Sequence, residues 1–496
     1  MDRSRFPGYG EGAPLDLSDL TGDQLTSLRV RLVEGSLEAF ADTAAQVGYC
    51  TRPVRLVGQS ETFDEATGEA VSGFRSADLP LGVLYRPCGN RRADVCPPCS
   101  RTYARDTFAM IRAGLVGGKT IPEDVADNPL LFVTLTAPSL GHVHGPRDGN
   151  RCRPRDRTNL CPHGRSTGCM RVHEPDDPAN GSPICVECYD WHTAVVWQWW
   201  APELWRRTTI ALRRAVARAL GVPESKLKQV ASVQFAKVAE YQARGLVHFH
   251  ALIRLDGPDG PGSPAPLTGD RLARLVAEAA RSVEYTAPAV DHRDQARTLA
   301  WGRQLDIRVV RDGIRTDDPD GPLVPEQVAG YLAKYATKDA NSLRDHTGPR
   351  PHLLRMRATV EALATRARAH DPSAQAPYRL LAKWAHMYGF RGHFSSKSRR
   401  YSITLGRLRR ARQRYAQMRA RGEQPDSLDV RDLEARLLAD DEETTLVIGS
   451  WTFQGAGWTR PGDEALALAA AARAREHDQW RAENGRKPQP LGEGTR

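Results

Sequence analysis

The sequence predicts an α+β protein built from more than one unit, and three observations carry that expectation. Two alternating apolar runs in "VASVQFAKVAEYQARGLVHFHALIRLDG" flank a short Ala-Arg-Gly connection, which reads as an antiparallel hairpin. Helix-period stretches lie on either side of it, such as "ELWRRTTIALRRAVARALG" and "TGDRLARLVAEAARSVEY". Length is the third: 496 residues with 40% hydrophobic content can fill more than one core, and roughly two to four units are expected.

Taken in order, residues 1–80 carry weak helical signals, "LTSLRVRLVEGSLEAFADTAAQVG" among them, and are expected to be an N-terminal helical region. Residues 81–127 hold a first cysteine cluster, expected to bind zinc. The central unit is placed at 128–345. It opens with the strand-like "LLFVTLTAP", Leu130 to Pro138, and is interrupted at 141–190 by a polar, turn-rich insertion containing cysteine and histidine. The helix "ELWRRTTIALRRAVARALG" ends at Gly221, which suits a left-handed cap. After the hairpin, the linker "GPDGPGSPAP" precedes the second helix, and "QLDIRVVRD" is a further strand. Residues 346–465 are expected to be mostly helical and arginine-rich, and 466–496 a charged tail; no internal repeat is visible.

A formal net charge of +10 and a pI near 9.2 favour an anionic partner, with nucleic acid first. Only nine of the 70 basic residues are lysine, an arginine bias that discounts the charge somewhat. No apolar stretch reaches the roughly 18 residues a membrane span needs. The start "MDRSRFPGYGEG" lacks the apolar run of a signal peptide, so a cytoplasmic protein is expected. In a reducing compartment its nine cysteines read as metal ligands or buried thiols.

The hairpin carries the first candidate site. In "GLVHFHALIRL", alternation puts Val247, Phe249, Ala251 and Ile253 on one face and His248, His250 and Leu252 on the other. With Ala243, Arg244 and Gly245 as a three-residue loop, Gly245 takes the left-handed position and Glu240 falls opposite His248. Directly opposed residues are about 5 Å apart and diagonal ones about 7–8 Å, within reach of a shared cation. Two imidazoles and a carboxylate suit Mg²⁺ or Mn²⁺.

The second is "VPEQVAGYLAKYATKDA", Val324 to Ala340, a helix with Pro325 at an early position. Tyr331, Tyr335, Lys334 and Lys338 fit within an arc of about 100° on the helical wheel. Val328, Ala329, Leu332 and Ala336 make a separate apolar stripe that can seat the helix on a sheet. Two phenols free of the packing face and flanked by ammonium groups are candidate nucleophiles, because a neighbouring cation stabilises a phenolate.

"FVTLTAP", "HFH" and "YLAKYATK", in that order, resemble the three motifs of HUH endonucleases that initiate rolling-circle replication, with the replication initiators of actinobacterial plasmids and integrative conjugative elements the nearest likeness. "CGNRRADVCPPC" and "CPHGRSTGC…CVECYDW" resemble the same initiator subgroup. The resemblance implies a ferredoxin-like core, an antiparallel sheet with helices, and a single-strand DNA endonuclease and transesterase that nicks and rejoins. It implies His248, His250 and Glu240 as ligands of a catalytic Mg²⁺ or Mn²⁺. It further implies Tyr335 as the tyrosine of first nicking, with Tyr331 serving strand transfer at termination. Origin DNA, double- and single-stranded, is the implied partner, with host helicase and polymerase; the sequence has no Walker A motif of its own.

Cys96-Pro-Pro-Cys99 and Cys185-Val-Glu-Cys188 have the spacing of zinc knuckles, and a structural site needs four ligands. Cys88 is the expected third ligand of the first pair. Cys161 and Cys169 complete the second, with His163 and His173 as competitors; one shared site of Cys96, Cys99, Cys185 and Cys188 is the other arrangement. Further on, "KSRRYSITLGRLRRARQRYAQMRAR" contains no acid, and Arg399, Arg400, Arg407, Arg409 and Arg410 are expected to contact DNA phosphates. The leading expectation is therefore a site- and strand-specific nickase that initiates rolling-circle replication. A conjugative relaxase or single-strand transposase would share the chemistry, and a zinc-containing DNA-binding regulator would explain the cysteines without catalysis.

Overall fold

The strands of the sheet that carries the histidines form where β-branched and aromatic residues alternate with smaller or polar ones. The computed structural model describes residues 21–155, 159–310, 325–336, 350–425, 428–439 and 445–484. In chain order these begin with α1 (Gly22–Val33), α2 (Leu37–Gln46), β1 (Val54–Asp64), β2 (Ala70–Arg75), β3 (Leu84–Arg86) and α3 (Pro97–Val116). Next come β4 (Leu130–Leu135), α4 (Trp191–Ala219), β5 (Ser232–Tyr241), β6 (Val247–Asp256) and α5 (Gly269–Ser282). They are followed by β7 (Glu284–Ala287), β8 (Arg297–Ala300), β9 (Leu305–Val309), α6 (Pro325–Ala336) and α7 (Pro351–His370). The last are β10 (Ser395–Lys397), α8 (Leu405–Ala420), α9 (Val430–Leu438), β11 (Thr445–Ala456) and α10 (Pro461–Asn484). The chain divides into two compact units, Met1–Tyr103 with Asp440–Arg496, and Ala104–Ala439.

The larger unit is built on a five-stranded sheet in the order β10-β5-β6-β4-β9, antiparallel at every pairing. One face buries Val247, Phe249, Ala251 and Ile253, as the alternation predicts, in a core shared with α4, α5 and α7. Trp205 of α4 meets Phe235 and Phe249 edge-on at ring-centroid distances of 5.2 and 6.2 Å. The opposite face is covered at one end by α6, whose Val328, Ala329, Leu332 and Ala336 are all buried. At the other end the fully buried Arg254 donates to Asp256 and to the Gly114 carbonyl of α3, beneath the Tyr401 ring. Gly114 is required there: a Cβ would sit 2.2 Å from a Tyr401 ring carbon.

One helix boundary shows where pattern and packing diverge. Thr268 caps α5, accepting from the Arg271 amide, and Gly221 lies just past α4 at φ 68°, where a left-handed cap is expected. However, α4 starts at Trp191, capped by Asp190, well before the expected start, and carries Pro202 inside it. Its first turns bury Ala194, Val195, Val196, Trp197, Gln198 and Trp199 together, so no one-sided stripe marks them as helical.

The smaller unit corrects the expected boundaries. Residues 54–75, assigned to a helical N-terminal region, form β1 and β2, and β11 lies inside the 346–465 stretch expected to be helical. They pair in the order β11-β1-β2, with β3 also on β1. This sheet buries little: every residue of β2 is exposed, so the alternation that betrays a half-buried strand is missing. Nor does 81–127 stand as one piece, since α3 belongs to the smaller unit over 97–103 and to the larger over 104–116. The expected charged tail is helical as far as Asn484 in α10, and 485–496 lies outside the described residues. Arg31 of α1 and Asp463 of α10 close this unit with a buried bidentate ion pair at 2.5 and 2.7 Å. Among the described residues no helix is long and apolar enough to cross a membrane.

Candidate metal centre and tyrosine helix

Register fixes the centre. Gln242 and Leu246 close the β5–β6 turn, Gly245 sits at φ 81°, and Glu240 pairs with His248 and Val238 with His250. Glu240 Oε2 consequently lies 3.0 Å from His248 Nε2 and 3.1 Å from His250 Nε2, and the two Nε2 atoms are 3.2 Å apart. From β4, Thr134 is paired with His250, and its Oγ1 lies 3.1 Å from His250 Nδ1. With Nδ1–H donated to that hydroxyl, the Nε2 lone pair faces Glu240 and His248, the orientation a metal ligand needs. Phe132, two residues back on the same face, stacks on the His250 ring at 5.5 Å.

The electrostatics agree with that donor set. Burial raises the Glu240 carboxyl, but the His248 and His250 rings beside it outweigh that and hold the group at about 2, so it is an anion at neutral pH. Burial lowers His250, against the pull of Glu240, and so favours its neutral, lone-pair-bearing form. An anionic carboxylate and imidazole nitrogens converging on one point fit a divalent cation.

Across the face, α6 brings Tyr331 to this cluster. Its hydroxyl lies 3.1 Å from His250 Nε2 and 3.5 Å from Glu240 Oε2, and its ring meets His250 and Phe132 edge-on. Lys334 is exposed on the same helix. Tyr335 belongs to α6, but its side chain lies outside the described residues, as does Lys338 altogether. Among the described residues the phenol at the cluster is Tyr331, the one sequence reasoning assigned to the second step.

The cysteines sort into three further groups of converging ligand atoms: Cys50, Cys88, Cys96 and Cys99; Cys161, His163, Cys185 and Cys188; and His144, Cys152, Cys169 and His173. Sequence reasoning missed Cys50, which lies 38 residues before Cys88 and carries no local signal. It also joined Cys169 to Cys161, whereas Cys169 faces His173 and His163 takes the fourth place beside Cys188 at 3.2 Å. A shared Cys96, Cys99, Cys185, Cys188 site does not form, because each pair closes with its own neighbours. In the first group, hydrogen bonds from Cys50 and Cys99 pull the Cys96 thiol down, while the same contact pushes Cys50 up to about 12. Four sulfurs this close cannot all ionise without a cation between them.

The arginine region is mixed. Arg399, Arg400, Arg409 and Arg410 are exposed, whereas Arg407 donates to the Leu438 carbonyl and so ties α8 to the end of α9. Arg412 and Arg414 likewise serve packing, toward Asp106 and the carbonyls of Leu437 and Ala439.

The family described as "Replication initiator protein, pSAM2" matches residues 36–472, and the chain belongs to that family of replication initiators. A "Replication initiator protein" of Streptomyces ambofaciens is 41% identical to it over 458 residues, 87% of this chain and 89% of that one. No solved structure matches it.

Proposed function

We propose that this replication initiator opens its origin by nicking one strand, through tyrosine attack on a phosphodiester at the Glu240/His248/His250 centre of a ferredoxin-like HUH core. The observation that carries the reading is the Tyr331 hydroxyl 3.1 Å from His250 Nε2, with Glu240 and His248 beside it. Glu240, His248 and His250 would hold Mg²⁺ or Mn²⁺, which when bound polarises the phosphate. The phenol oxygen forms a bond to phosphorus as the bond from phosphorus to the 3′ oxygen breaks, and the proton the phenol gives up ends on that oxygen, which leaves as a 3′ hydroxyl. The 5′ phosphate stays on tyrosine, conserving the bond for later rejoining. Tyr331, whose hydroxyl stands at the centre, and Tyr335, four residues on, are the two attacking phenols, one for each transfer. Lys334 and Lys338 supply positive charge to the reacting phosphate, and Arg399, Arg400, Arg409 and Arg410 contact phosphates of the origin. The Cys50/Cys88/Cys96/Cys99 and Cys161/His163/Cys185/Cys188 groups hold structural zinc. The nick hands its 3′ end to a host polymerase, with a host helicase unwinding ahead.

Incubation with supercoiled origin plasmid and Mn²⁺ should give a nicked circle with protein covalently attached. The Tyr331→Phe/Tyr335→Phe variant should give none, and His248→Ala/His250→Ala should lose cleavage while keeping most of its DNA affinity. Undiminished nicking by the double phenylalanine variant would sink the tyrosine mechanism, and origin binding without nicking by the unaltered protein would favour a non-catalytic DNA-binding role.

A further inference from the structure

The 141–190 insertion contains no helix or strand among its described residues, only isolated bridges, so little in it can be held by a core of its own. Yet Cys152, Cys169 and His173 within it are buried at 3, 8 and 2% exposure. Their ligand atoms, with that of His144, all lie within 4.8 Å of one another. His144 Nδ1 is 3.2 Å from His173 Nε2, which is 3.4 Å from Cys169 Sγ. The groups around them are those of a metal's outer shell. Asp177 Oδ2 is 2.6 Å from His173 Nδ1, fixing that ring with Nε2 inward, and the Gly145 amide donates to Cys152 Sγ at 3.4 Å. Paired backbone hydrogen bonds join Arg153 to Cys169, and the Cys152 amide donates to the Arg171 carbonyl, so the two cysteines are presented from one small ladder. With this group filled, all nine cysteines of the chain fall in ligand sets.

His144 is also the residue through which the insertion reaches the β5–β6 hairpin. Its amide donates to the Ser182 carbonyl and its carbonyl accepts from the Gly181 amide, both at 2.9 Å. Gly181, at φ 84°, presses so closely on the hairpin turn that a Cβ there would lie 2.2 Å from the Ala243 carbonyl carbon and 2.5 Å from the Arg244 nitrogen. The same turn is held from below by Arg244, which donates to the carbonyls of Ala137 and Pro138 at 2.9 Å. Glu240 and His248 lie two to four residues from this turn on either strand.

We propose that His144, Cys152, Cys169 and His173 form a third zinc site, and that this ion fastens the insertion onto the turn of the hairpin that presents Glu240 and His248. Two thiolates and two imidazoles with no open position define a closed, tetrahedral, structural site, and zinc is the divalent ion that suits them. The metal acts as a positioning device: it fixes His144, His144 fixes Gly181, and Gly181 bears on Ala243 and Arg244. The assignment of the hairpin's own role rests on the nicking reading above, whereas the zinc and its grip on the turn do not.

The test is metal content and amide exchange of the full chain, with no activity assay required. The unaltered protein, purified with zinc, should hold at least three ions per chain by elemental analysis; two or fewer overturns the proposal whatever the variants do. Cys152→Ala should hold one ion fewer, and Cys152→His, which keeps a ligand, should hold the full number. In Cys152→Ala, hydrogen exchange should quicken about tenfold or more in a peptide spanning the turn from Tyr241 to Leu246, with the wild-type rate restored in Cys152→His. Unchanged zinc in Cys152→Ala overturns the site, and lost zinc with unchanged exchange overturns the coupling. Because neither readout involves DNA, failure of the nicking reading would leave both results standing.

Discussion

Thr134 bears on which way the His250 imidazole faces. Its hydroxyl lies 3.1 Å from His250 Nδ1, a contact that leaves Nε2 facing Glu240 and His248, while Phe132 stacks on the ring. Thr134→Val keeps the shape and removes the acceptor, so it should weaken Mn²⁺ binding by roughly 10- to 100-fold, as outer-shell losses do. The check is the Mn²⁺ concentration that half-saturates nicking, with DNA affinity unchanged; an unaltered Mn²⁺ requirement would remove Thr134 from the site. Glu240, His248 and His250 were readable in the sequence because a period of two and a three-residue turn set their register locally. Thr134 and Phe132 were not, because the pairing that brings Thr134 to His250 spans 116 residues. Cys50 escaped for the same reason: it lies 38 residues before Cys88, too far to leave a spacing to read.

At the level of elements, β5 carries a cost that its neighbours accommodate. Lys237 points to the core face of the sheet, its Nζ donating to the His393 carbonyl at 3.0 Å above the Phe249 ring. Burial lowers its amine from the ordinary 10.5 to about 7. A folded value below the unfolded one means the unfolded chain holds a proton that the folded chain lacks between about 7 and 10.5. Stability should therefore rise with pH through that window, and the full cost of the buried amine should persist below it. Lys237→Met should remove this dependence, with a difference in slope of at most about 1.4 kcal/mol per pH unit. Parallel stability-versus-pH curves for the two proteins would disprove it. Element prediction succeeded where one face is buried, as in β6, α5 and α6. It failed for the first turns of α4, which are buried all round, and for β1, β2 and β11, which are scarcely buried at all. Both extremes erase the contrast that a hydrophobic pattern needs.

For the whole molecule, the division into two units was foreseeable from length, but its discontinuous form was not. The smaller unit draws on both ends of the described chain, and Arg31 and Asp463, 432 residues apart, meet in its interior. Asp463→Ala would leave the Arg31 guanidinium buried without its anion, which should cost about 3–5 kcal/mol of that unit's stability. Denaturant unfolding would show it as a separate, earlier transition, and replacing both partners by apolar residues should recover most of the loss. A loss under about 1 kcal/mol would mean that water reaches the arginine.

This discontinuity bears on how the protein is made. β1 leaves the ribosome long before β11, with 380 residues between Asp64 and Thr445. At roughly 5–20 residues per second, the nascent chain holds β1 without that partner for about 20–80 seconds. The larger unit, contiguous from Ala104 to Ala439, is complete within that interval. Cys50, Cys88, Cys96 and Cys99 all emerge early, so the waiting half can close on a metal before its last strand has been synthesised.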